Sequence, residues 1–188
     1  PSQNETFNSI GGYMFRNYAQ DEIKALQIET GVKSVFTQNA KMKRSSQNGI
    51  NLYNFGIPAF RSKSGLATCE NRLSLTRTKG FEQVITYHID RLIKKHPTGI
   101  ILIRVHDSGD FYSQAYQLNW YLIATQYENN PRVQFYAYTK MVSQTLNVSG
   151  LKPKNFKLIF SYGGSEDSQI DTEKHHHSKV FNSLEHLV

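Results

Sequence analysis

The chain has 188 residues, 38% of them hydrophobic, and a formal net charge of +7. That length suits one domain with a sizeable core, and the single cysteine, Cys69, excludes an internal disulfide framework and fits a reducing compartment. The longest apolar run, Ile100-Ile101-Leu102-Ile103, is strand-sized, so no membrane partner is expected, and the residues after Pro1 lack a basic-then-apolar signal pattern.

Residues 1–50 read as a polar N-terminal segment rich in Gln, Asn and Ser, and 51–188 as the core of a single 1–188 α/β domain. Gly11-Gly12 and Ser45-Ser46-Gln47-Asn48-Gly49 are turn or loop signals, and Asp21 to Ile28 suits a short helix. Phe81, Val84, Ile85, Ile89, Leu92 and Ile93 recur at helical spacing, and Pro97-Thr98-Gly99 ends that amphipathic helix. Ile100 to Val105 then reads as a strand buried on both faces, broken only by Arg104. Tyr112, Tyr116, Trp120, Ile123 and Tyr127 form a second helical stripe that places Trp120 in the core, and Asn129-Asn130-Pro131 stops it. Val133 to Thr139 and Phe156 to Ser161 are two further strands, separated by a turn at Pro153-Lys154-Asn155. Strand, helix and strand at this spacing make a βαβ unit, so the expected fold is α/β, a parallel sheet with βαβ crossovers. Three strands leave open whether it closes into a full or partial (β/α) barrel.

Ligands bind at the carboxyl ends of parallel strands, and all three strands here end in polar or glycine-containing segments. The first is followed by His106-Asp107-Ser108-Gly109-Asp110, the second ends in Tyr138-Thr139-Lys140, the third in Ser161-Tyr162-Gly163-Gly164-Ser165. His106 can act as a general base or metal ligand, Asp107 and Asp110 can orient it or hold a cation, and Ser108 adds a hydroxyl. The plainer reading makes Ser108 and Asp110 caps of the next helix. Lys140 can neutralise an anion at this edge, and Ser161 to Ser165 can form a backbone nest for a phosphate or carboxylate, or an ordinary glycine turn. His106, Asp107, Ser108, Asp110 and Lys140 are thus the catalytic candidates, and Tyr138, Ser161, Tyr162, Gly163 and Gly164 the ligand-binding ones. His106, Asp107 and Asp110 are expected to border one pocket with Tyr138, Lys140 and Ser161. Tyr136 and Tyr138 alternate with Phe135 and Ala137, which points to core residues ahead of a base-stacking platform. His175-His176-His177 sits inside ordinary sequence and reads as native, and adjacent histidines are poorly placed to share one metal.

The charge of +7 points to an acidic partner, nucleic acid first, although most Lys and Arg are dispersed apart from groups such as Lys41-Met42-Lys43-Arg44 and Lys94-Lys95-His96. A basic surface kept for solubility is the alternative.

The segment from Leu102 to Ser113, Trp120, Phe135-Tyr-Ala-Tyr-Thr-Lys140 and Asn155 to Gly164 together resemble the phage "gene product 88" family. Asn39-Ala-Lys41, Gly56-Ile-Pro-Ala59 and Thr68-Cys69 resemble its N-terminal part. The resemblance implies a protein of phages or other mobile elements, working in the host-cell cytoplasm. In that family the Thr-Cys pair opens a cysteine-rich stretch suited to an iron–sulfur cluster, which resembles S-adenosylmethionine radical barrels. Cys69 would then be a metal ligand. Here Cys69 is followed at once by Glu70, so a break between these two residues, with a missing cysteine-rich loop, is expected; an intact join removes the cluster. The sequence therefore supports three readings. One is an enzyme-like protein with a strand-end site, dependent on iron–sulfur if that loop exists. Another is a basic nucleic-acid-binding or nucleic-acid-processing protein, and the last a non-catalytic binder of a host factor.

Overall fold

The computed structural model describes residues 20–32, 34–38, 48–56 and 63–181. Most of the polar N-terminal segment lies outside the described residues, with its glycine pair, the Lys41–Arg44 group and the family-like residues 39–41 and 57–59. The elements in chain order are α1 (Gln20–Thr30), β1 (Thr37–Gln38), β2 (Ile50–Phe55), α2 (Lys63–Thr76), α3 (Phe81–Lys95), β3 (Ile100–Val105), α4 (Gln114–Gln126), β4 (Val133–Thr139), α5 (Val142–Asn147), β5 (Phe156–Ser161) and β6 (His177–Ser178). No helix among the described residues is long and apolar enough to cross a membrane.

The six strands form one sheet in the order of the chain, β1 to β6. β1 pairs antiparallel with β2, and every later pair is parallel. The two edge strands do not meet, so the sheet is open and no barrel closes. Sequential parallel order has a direct consequence. Each crossover moves one strand in the same direction, and crossovers share one hand, so the connecting helices collect on one face.

The burial pattern follows from this. Along β4, Val133, Phe135, Ala137 and Thr139 are buried, while Gln134, Tyr136 and Tyr138 are half-buried. β3 alternates the same way, with Ile101, Ile103 and Val105 buried and Leu102 and Arg104 half-buried. The expectation that β3 is buried on both faces is therefore corrected: among the described residues no second layer of helices covers its other side.

The helix face holds the main core. Trp120, fully buried, meets Phe55 and Phe81 edge-on at ring distances of 4.9 and 5.5 Å. α3 presents Phe81, Val84, Ile85 and Ile89 to this cluster, and Lys94 and Lys95 in its last turn suit the negative end of the helix dipole. α4 starts at Ser113, whose hydroxyl accepts a hydrogen bond from Tyr116 N at 3.2 Å. A buried polar network fastens α5 to α4: the Gln117 amide donates to Tyr121 Oη and Thr145 Oγ1, and Gln144 donates to Gln117 Oε1.

α2 runs without interruption through Cys69 and Glu70. The break expected there is absent, and with one cysteine the chain cannot supply a three-thiolate cluster. The Cys69 side chain itself lies outside what is described. The iron–sulfur and S-adenosylmethionine expectation, which depended on that loop, therefore loses its basis.

Candidate functional site

β3, β4 and β5 run parallel, so the three segments singled out in the sequence do leave the sheet along one edge. Their side chains then divide between its two faces.

His106 turns towards the helices. It is the one described non-glycine residue with a positive φ, +63°. Its ring stands edge-on to Phe111 at 4.6 Å, and its Nε2 lies 3.2 Å from the Tyr116 hydroxyl. Only 6% of the residue is exposed. Burial lowers its pKa to about 4, against a smaller upward pull from Asp110, so the imidazole is neutral near pH 7. Nδ1 is buried without a hydrogen-bond partner, and so is Ser108 Oγ. Both residues line a cavity of about 30 Å³, bordered also by Gly56, Arg72, Thr76, Asp110, Tyr112 and Tyr116. That is room for about two waters. Gly56 is required there because a Cβ would collide with the Asp107 amide, which donates to Phe55 O at 2.8 Å.

Asp110 is tied into the scaffold. Its carboxylate accepts from Phe111 N, Thr139 Oγ1 and Lys140 N, each at 2.7 Å. It thus fastens the β3–α4 loop to the end of β4, while the helix cap expected of Ser108 or Asp110 is supplied by Ser113. Asp107 is exposed, and its carboxylate lies 3.5 Å from Arg104. Lys140 donates to Tyr162 O at 2.8 Å. Ser161 pairs with Ser178 in the β5–β6 ladder. The nest at Gly163 and Gly164 exists, and the chain fills it: both amides donate to the Asp167 carboxylate, at 2.8 and 2.9 Å. Those bonds hold the Asp167 carboxyl below its usual range. Among the described residues, the side chains expected to share one pocket lie in two places. His106, Ser108 and Asp110 belong to one and Tyr138 to the other.

The second place is the sheet face that no helix among the described residues covers. Parallel register puts Arg104 beside Tyr136 and Tyr136 beside Lys157, with Tyr138 next to Ile159. The Arg104 guanidinium lies over the Tyr138 ring, 5.3 Å from its centre, and Tyr136 meets Tyr138 edge-on at 6.1 Å. Tyr138, Lys157 and Ile159 line a cavity of about 700 Å³ whose other wall is the segment from Thr172 to Ser178. A neighbouring cavity of about 430 Å³ shares Lys157, Lys174, His175 and His176 and adds Lys152 and Lys154. Asp171 pairs with Lys174 at 2.9 Å, and Glu173 is the carboxylate in the larger wall. The assignment of Tyr136 and Tyr138 to the core is thereby corrected. Strand alternation carries the signal, because Val133, Phe135 and Ala137 already claim the buried face. The histidines are engaged locally: His175 Nδ1 accepts from Asp171 N at 3.1 Å, and His177 Nδ1 lies 3.0 Å from His175 O. Among the described residues no group of three or more His, Cys, Asp or Glu is placed to hold a metal ion.

The family model described as Gene product 88 matches residues 36–186 of the chain. No curated protein and no solved structure matches it.

Proposed function

We propose that this chain, which belongs to the Gene product 88 family, binds single-stranded nucleic acid across the helix-free face of its sheet. The observation that carries the reading is the pair Tyr136 and Tyr138 on that face, with the Arg104 guanidinium against Tyr138. A half-buried tyrosine ring held by its neighbours is a preformed stacking surface, and a stacked base gains about 1–3 kcal/mol in such sites. Lys157 sits beside Tyr136 in register, and Lys174 lines the adjoining cavity, where both can contact phosphates. Single strands fit better than duplex, because a base must leave its stack to reach a ring. The net charge of +7 supplies long-range attraction.

Fluorescence anisotropy with labelled oligo-dT and oligo-rU at rising salt tests this. Binding should weaken steeply with salt, and Tyr138→Ala should raise Kd by roughly 5- to 100-fold at fixed salt. Lys157→Ala should weaken binding and flatten the salt slope by about 0.7. The reading is rejected by no binding at low salt, or by a Tyr138→Ala protein that binds like the parent.

A further inference from the structure

We propose that the outer edge of β5, beside α5, is a docking groove for an extended acidic peptide of a partner protein, which adds to the sheet as a short strand. β6 covers only the last part of β5. Its ladder begins where Phe160 N donates to His176 O at 2.9 Å, and Phe160 and Ser161 are the paired residues. Alternate residues of a parallel strand direct both backbone groups to the same side. Phe160 and Tyr162 donate towards β6, so Leu158 directs its N–H and C=O to that side as well, ahead of the point where β6 begins. Continued register would place His175 beside Leu158. The chain instead folds back on itself there: His175 N donates to Asp171 O at 2.8 Å, and Asp171 N donates to His175 Nδ1 at 3.1 Å. The gap between β5 and this turn is a cavity of about 430 Å³. A strand edge whose backbone groups lack a neighbouring strand is a template for another chain.

The walls select the occupant. Leu158 and Phe160 pack on the helix side of β5, and Leu146 of α5 is a further apolar wall. Around them stand Lys152, Lys154, Lys157 and Lys174, and none of the described residues lining the cavity is acidic. Lys174 is paired with Asp171, and Lys152 Nζ donates to Phe156 O at 2.9 Å. Lys154 meets Glu128 through its backbone amide. The ammonium groups of Lys154 and Lys157 form no ion pair among the described residues, and both residues are exposed. A strand laid beside β5 sends successive side chains to opposite faces. Those on the helix side meet Leu146, Leu158 and Phe160, and those on the other side meet Lys157. The matching sequence therefore alternates apolar and acidic residues. A nucleic-acid strand fits less well, because the rings in this groove, Phe156 and Phe160, are buried and offer no face to a base.

Docking here is independent of nucleic-acid binding at Tyr138, although Lys157 and Lys174 border both cavities. The probe is the blocked peptide Ac-Val-Glu-Val-Glu-Val-NH2, titrated into the whole isotope-labelled chain and followed by NMR. Binding should be saturable, and the Leu158 amide should shift and exchange with solvent more slowly. The Phe160 amide, already bonded to His176, should change little. The same peptide with an N-methylated backbone should bind about tenfold or more weakly, because it cannot donate to the strand edge. Lys154→Glu, checked for an unchanged melting curve, should weaken binding of the parent peptide about three- to tenfold. No peptide binding overturns the proposal, as does binding that N-methylation leaves untouched or that a Lys-for-Glu peptide reproduces. A Leu158 amide that already exchanges slowly in the free protein also overturns it, since this chain or a second copy then fills the edge. A Leu158 amide that responds to oligo-dT and not to the peptide assigns the groove to nucleic acid and overturns it too.

Discussion

Asp110 joins three donors from two loops, Phe111 N, Thr139 Oγ1 and Lys140 N, all at 2.7 Å. Thr139 is itself buried, so deleting the carboxylate leaves its hydroxyl without an acceptor. Charge-assisted bonds of this kind contribute about 1.5–3 kcal/mol each, with strong overlap between neighbours. Asp110→Ala should therefore cost about 2–4 kcal/mol, read as a lower urea midpoint with unchanged slope. A variant as stable as the parent would show that these bonds carry no net stability. The sequence makes His106-Asp107-Ser108-Gly109-Asp110 conspicuous, because polar residues directly follow an apolar strand. It does not reveal where each side chain goes. That depends on the positive φ at His106, which breaks the alternation and sends His106 to the helix side while Asp107 stays exposed beside Arg104. Nothing in five consecutive letters encodes that turn. It also separates Tyr138 from the residues with which the sequence grouped it.

At the scale of the elements, legibility follows the regularity of the pattern. β3, β4 and β5 begin and end at the residues read from the sequence, since each is a run of apolar or alternating residues between turn signals. β2 escapes notice because Asn51 and Asn54 interrupt its apolar run, although both are buried in the sheet. α2 escapes because Lys63-Ser64-Gly65 and Glu70-Asn71-Arg72 blur any apolar stripe. α5 is six residues long, too short for a periodicity to register. The crossover helix α4 is legible through its aromatic stripe, and the stripe predicts its keystone. Trp120 is fully buried between Phe55, Phe81 and Tyr116. Trp120→Ala should destabilise the protein by about 3–5 kcal/mol in urea unfolding, and Trp120→Phe by less, since it keeps an aromatic ring in the gap. A small effect of the alanine change would mean that α4 does not anchor the sheet. Among the described residues the helix-free face has no comparable core, so Tyr136→Ala and Tyr138→Ala should each cost well under half as much.

The whole molecule carries a pH dependence set by two imidazoles, one buried at His106 and one half-buried at His88. His106 and His88 are both lowered to about 4, His106 by burial, and His88 by burial and then by the charge of Arg91. The His88 ring is 2.8 Å from the Gln27 amide, so it helps to fasten α1 to α3. In the unfolded chain both would titrate near 6.5. The folded state therefore binds fewer protons than the unfolded state between pH 6.5 and 4. The stability these neutral rings provide is complete above pH 6.5 and is lost as pH falls towards 4, by about 2–3 kcal/mol for each at most. Glu82 opposes this, because burial raises its pKa and protonation relieves the cost of its buried charge. The half-buried carboxyls of Glu166, Asp167 and Asp171 are all lowered by hydrogen bonds to the charged form, so their contribution disappears only at more acid pH. Two histidines acting together outweigh one glutamate across the upper part of the range. Urea midpoints measured from pH 7.5 to 4.5 should fall steadily below about 6.5. His88→Gln, which retains a group able to hydrogen-bond Gln27, should make that fall shallower by up to about half. A flat profile in the parent protein would mean that water reaches both rings and that neither is held neutral by the fold.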